Sequence, residues 1–175
     1  MARISIALVT CMGCLVTDNA QQQAGENFPP SIVSGPEAAD QGVALNQIIR
    51  VDLDTFEGSE LQIPVTIRDP NFSQELEYEV FLDFNEASDS PVQFLVSEPN
   101  SVVPPVGTLA RSLVVRVPVA RLTTGCHQVE LRVSSEFRNA PDFRFAVEPE
   151  DFAEAIWWVS VEDEDNRSVE LSECP

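Results

Sequence analysis

The sequence predicts an all-β protein, an antiparallel two-sheet sandwich of about seven or eight strands. Three observations carry that expectation. Apolar residues recur with period two through most of the chain after residue 45, turn residues fall between the alternating runs, and no helical period of useful length is present. A strand with one apolar face must bury that face, and two such sheets packed face to face do so.

Each run can be taken in order. Leu61, Ile63, Val65 and Ile67 share one face, opposite Gln62, Pro64, Thr66 and Arg68. Leu76, Tyr78, Val80, Leu82 and Phe84 alternate with Glu77, Glu79 and Asp83. Leu113, Val115, Val117 and Val119 face away from Arg116 and Pro118. His127, Val129, Leu131 and Val133 alternate with Gln128, Glu130, Arg132 and Ser134, and Trp157, Val159 and Val161 close the series. Shorter runs at 48–53 and 92–96 are expected to add two strands. Pro64 and Pro118 lack an N–H for a ladder, so each is expected at an edge or bulge. Asp69-Pro70-Asn71, Glu98-Pro99-Asn100 and Thr124-Gly125 supply turns, and one helical turn is allowed near 149–155.

Charge narrows the function classes. The 175 residues carry 29 carboxylates against 10 basic side chains, every one of them Arg, for a formal net charge of −19. Nucleic acid needs a cationic footprint that this chain lacks, and anionic lipid headgroups would be repelled. The run Glu162-Asp163-Glu164-Asp165 reads as a solvated turn or tail.

The first residues carry an address. Arg3 precedes a short apolar run, Ile4 to Thr10, and then Cys11-Met12-Gly13-Cys14, the pattern of a secretory signal. Gly13-Cys14 resembles the end of a bacterial lipobox, in which a small residue precedes the Cys that receives lipid. That resemblance implies lipidation at Cys14, with Cys11 as the alternative, and attachment to the bacterial membrane outside the cytoplasm. Leu15 after it resembles outer-membrane sorting. Residues 1–13 are then the signal peptide, 14–26 a flexible tether, and 27–175 the sandwich with its tail. Cys11-Met-Gly-Cys14 is also a C-x-x-C, but it has no βαβ context or second Cys/His pair to make it a redox or zinc site.

The body resembles a family group as well. Asn27-Phe28-Pro29-Pro30-Ser31-Ile32, then residues 58–80, then Leu122-Thr-Thr-Gly125-Cys-His127 leading into Val129-x-Leu131-x-Val133, resemble bacterial immunoglobulin-like and cadherin-like surface modules. The likeness implies an immunoglobulin-like fold, with His127 where many members carry Tyr. The cadherin-like side of it implies calcium, with Glu26, Asn27, Asp69 and Asn71 as weak candidate ligands, although an Asx turn accounts for Asp69 and Asn71 without an ion. No cofactor is otherwise expected.

With Cys11 removed and Cys14 acylated, Cys126 and Cys174 remain, and an oxidising compartment favours a bridge between them. Cys126 lies on the outward parity of its strand, so the bridge would clamp the tail to the outside of the sandwich. His127 is the sole histidine, and any triad or His-rich metal centre must use it. Its inward parity favours a buried ring bonded to backbone, so no catalytic residue is assigned. A possible binding surface involves Trp158, whose parity opposes Trp157, and the long 137–152 connection with Phe143 and Phe145. The ordinary alternative has that connection folding over Trp158. The expected function is a non-catalytic, lipid-anchored envelope module that binds a protein or glycan or serves as a structural subunit. The alternatives are a calcium-stabilised adhesion module and an enzyme with an unrecognised site.

Overall fold

The computed structural model describes residues 27–34, 48–84, 94–98, 101–139, 142, 144–165 and 174. Eight strands run through them: β1 (Ser31–Ser34), β2 (Ile49–Asp52), β3 (Glu60–Arg68), β4 (Leu76–Leu82), β5 (Ser101–Val103), β6 (Ala110–Pro118), β7 (Gly125–Ser134) and β8 (Phe152–Glu162). One sheet has the order β1-β3-β6 and the other β2-β8-β7-β4-β5. This is an immunoglobulin-like sandwich. The first two strands lie in different sheets: β1 pairs antiparallel with β3, and β2 pairs parallel with β8.

The inner faces are those the alternation predicts. Ile63, Ile67, Val115, Val117, Val129, Leu131, Val133, Trp157, Val159 and Val161 are fully buried in one cluster. Both prolines sit where no donor is needed. Asp69 N–H bonds Leu109 O and Val119 N–H bonds Ser59 O. In the β3–β6 ladder, odd residues of β3 therefore face β6 and even ones face away. Pro64 turns its nitrogen to the β1 side, beyond the last β1 pair at Ser34↔Val65. Pro118 turns its nitrogen away from β3, to the outer side of β6.

Three expectations need correction. Residues 92–96 were expected to form a strand, but 94–96 contribute only a bridge from Leu95 to Phe81, with Val96 N–H bonding Val80 O. The strand beside β4 is instead β5, which is out of register with that bridge. No helical turn forms before β8; a turn closed by Asp151 N–H to Glu148 O leads straight into the strand. Val119 leaves the sheet in a short 3-10 turn, Val119–Arg121.

The polar parity of β4 and β7 is not all solvated. Glu79, Glu130, Arg132 and Ser134 are buried on the outer face of the five-stranded sheet. Glu79, Arg132 and Glu154 lie side by side across β4, β7 and β8. Arg132 Nε donates to Glu130 at 2.5 Å, and its Nη2 donates to Glu154. The 137–152 connection returns over this face. Phe137 bridges Ala146, and Arg144 donates to both oxygens of Glu130 (3.0 and 3.1 Å) while its guanidinium lies 3.8 Å from the centre of the Phe84 ring. Phe84 in turn packs edge-on against Phe81 and Phe94. For Glu130, two guanidinium groups that bond both its oxygens offset the cost of burying the carboxylate.

Cys126 and Cys174 are joined by a disulfide, with a Cα–Cα distance of 5.4 Å. Cys126 pairs with Ser160 on the outer face, so the bridge holds Cys174 against the outside of β7 and β8.

A candidate binding cleft at one end of the sandwich

Asp69 leaves β3 at the end of the sandwich where the β3–β4 turn and the β7–β8 connection meet. Its carboxylate closes an Asx turn, accepting the Asn71 N–H at 2.8 Å, and Gln74 N–H bonds Asn71 O to complete the reversal. The other carboxylate oxygen accepts Arg111 Nη2 at 2.6 Å, both side chains being about 1% exposed. Arg111 lies on the inward parity of β6, in line with Leu113, Val115 and Val117. Its guanidinium also bonds Val103 O and Asn71 O, tying the turn to β5 and β6.

From Asn71 a hydrogen-bonded chain crosses the end of the molecule. Asn71 Nδ2 donates to Asn27 Oδ1 (2.6 Å) and to Phe28 O (3.2 Å). Asn27 Nδ2 donates to Ser135 Oγ (3.4 Å), and Ser135 donates to the buried Asp151 carboxylate. These contacts wall an open cleft of about 480 Å³, completed by Ser73, Gln74, Glu136, Val147 and Glu148. The side chains of Ser73, Gln74, Glu136 and Glu148 make no hydrogen bond among the described residues, so they face the cleft uncommitted. Phe28 and Phe72, each next in sequence to a wall asparagine, are 38% and 42% exposed. A second cleft of about 320 Å³ runs between β6 and the β4–β5 side, with Tyr78, Ser97 and Arg116 in its lining.

The predicted site residues divide accordingly. Asn27 and Asn71 come together, but as hydrogen-bond partners. Asp69 has both oxygens engaged within the chain, with a guanidinium where a cation would stand. Among the described residues, no three His, Cys, Asp or Glu side chains are grouped to hold a metal ion. Phe145 is 51% exposed and Trp158 is half-buried. The connection carrying Phe145 bonds Glu77, Glu130 and Arg132 and packs Arg144 on Phe84. Cys14, Glu26 and Phe143 lie outside the described residues.

His127 sits at the other end, near the start of β7, about 26 Å along the strand from Ser135 at 3.3 Å per residue. Gly125, at φ +131°, lets the chain turn into β7 at an angle that a side chain would strain. The His127 ring is buried, with Nδ1 2.6 Å from Asp83 Oδ2 and Nε2 2.7 Å from Thr123 O. Both partners are acceptors, so satisfying both requires the doubly protonated ring. The Asp83 hydrogen bond is the main cause that raises its pKa above the ordinary 6.5, against the lowering effect of burial. Nε2 reaches back to a carbonyl four residues upstream, the anchoring that a tyrosine gives in related corners. Asp83 is held at φ +52°, and its other oxygen accepts the Gln128 N–H.

The linkage has a definite sign. A raised folded pKa gives stability that is complete below about 6.5 and is lost as pH rises through the folded value. Melting temperatures of the wild type and His127→Gln should therefore differ most in mild acid and converge at alkaline pH. A difference constant from pH 5 to 9 would show that the ring is not charged in the fold.

No protein-family profile matches the chain, and no curated protein matches it. Among solved structures, the apo form of a Calx CBD1 domain is similar, with 15% identity and a TM-score of 0.36, covering 79% of this chain and 100% of that chain. The sandwich assignment rests on the two sheets themselves.

Proposed function

We propose that the protein is a non-catalytic module of the bacterial cell envelope, lipid-anchored through Cys14, that binds its ligand in the cleft walled by Asn27, Asn71 and Ser135. The observation that carries this reading is the cleft itself, a concave polar surface where two connections and the N-terminal segment converge on a rigid sheet scaffold. In immunoglobulin-like variable domains the loops at one end of the sandwich, including the equivalents of the β3–β4 and β7–β8 connections, form the recognition surface. The Cys126–Cys174 bridge suits an oxidising compartment, which favours export. The single histidine is held at the opposite end between two acceptors, which favours a binding role over catalysis.

Two measurements test the two halves of the proposal. Protein taken from its own membranes should have the mass of residues 14–175 plus acyl groups; an unacylated mass retaining residues 1–13 would end the anchoring half. A photo-crosslinking residue at Ser73 in living cells should trap a ligand, while one at the exposed Ala120, at the His127 end, should not. Equal trapping at both positions, or none at Ser73, would remove the cleft as the binding site.

A further inference from the structure

We infer that the cleft takes a neutral oligosaccharide, an inference that rests on the cleft reading and adds the ligand's chemistry. The wall presents three carboxamides, Asn27, Asn71 and Gln74, and two hydroxyls, Ser73 and Ser135. Carboxamides donate and accept through separate atoms of one planar group, whereas sugar hydroxyls do both through one oxygen. A ligand rich in hydroxyls therefore satisfies every type of group on this wall.

Other ligand chemistries fit less well. An acidic ligand would meet Glu136 and Glu148, with no basic side chain among the described residues that line the cleft, so like charges would oppose it. A cationic peptide side chain offers donors only. It would satisfy the two carboxylates but offer the Gln74 carboxamide N–H groups no acceptor, and unmet donors in a desolvated contact are costly. Asn27 and Asn71 are already oriented by their mutual 2.6 Å hydrogen bond and by Ser135, so little freedom is lost when a ligand engages them.

The test uses isotope-labelled full-length protein and reads the side-chain amide resonances of Asn27, Asn71 and Gln74. The probes are a neutral glucan oligomer, a neutral N-acetylglucosamine oligomer, oligogalacturonate and an oligoarginine peptide. At least one neutral oligomer should shift those amides at millimolar concentration, and oligogalacturonate should not. Gln74→Ala, which keeps the backbone N–H bond to Asn71 O, should weaken the neutral oligomer's affinity at least tenfold without altering the melting temperature. Shifts produced only by oligoarginine, or only by oligogalacturonate, would overturn the neutral-glycan inference while leaving the cleft as a binding site. Unmoved amides with every probe would overturn it as well, and the crosslinking at Ser73 then decides separately whether the cleft binds anything.

Discussion

Arg111→Ala is expected to cost about 3–5 kcal/mol, the range for removing one partner of a buried ion pair. Arg111 and Asp69 are both essentially inaccessible, and the Asp69 carboxylate would keep only the Asn71 N–H as a partner. The loss would be read from the urea midpoint at unchanged slope. Arg111→Met combined with Asp69→Asn should recover most of it, because the charge is removed along with its partner while the Asn side chain can still close the Asx turn. If the double variant is no more stable than Arg111→Ala, the carboxylate left behind is not the source of the penalty. The single variant should also loosen the cleft, since Arg111 bonds Asn71 O as well as Asp69.

Removing the disulfide is the second large effect. For a sequence separation of 48 residues the chain-entropy relation gives about 4 kcal/mol. In a chain of this length that corresponds to a fall in melting temperature of roughly 8–16 °C. Cys126→Ser, Cys174→Ser and the reduced wild type should show the same fall, because each opens the same loop. A wild type whose melting temperature ignores reductant would show that the bridge does not form in solution.

The core was legible because burial follows strand parity with few exceptions. Leu61, Ile63, Val65 and Ile67, and later Val129, Leu131 and Val133, alternate so regularly that their common face could be read directly. The same rule misleads for Glu79, Glu130 and Arg132. Their polarity reads as exposure, and for Glu130 and Arg132 the buried partners come from a connection that returns over the sheet. Arg111 was readable in principle: an Arg in phase with Leu113, Val115 and Val117 points inward and needs a buried acid. The inward orientation of His127 was also readable, but its bond to Asp83 was not, because that bond depends on a left-handed residue at the end of β4. β5 is too short to show a period. The cleft draws on three separate segments, and of its lining only Asn27 and Asn71 carry a sequence signal, as candidate calcium ligands, whereas the fold makes them hydrogen-bond partners.

Asn27 belongs both to the cleft wall and to the segment that leads into β1, and this has a mechanical consequence. In a protein held to a membrane from its N-terminal side, tension from a ligand in the cleft enters and leaves the molecule at the same end. With the proposed Cys14 anchor and a ligand in the cleft, the load would pass through the contacts among Asn27, Asn71 and Ser135 and bypass the long β7–β8 ladder. Those few hydrogen bonds would yield before the sheets did, so a strained complex would release its ligand and leave the sandwich folded.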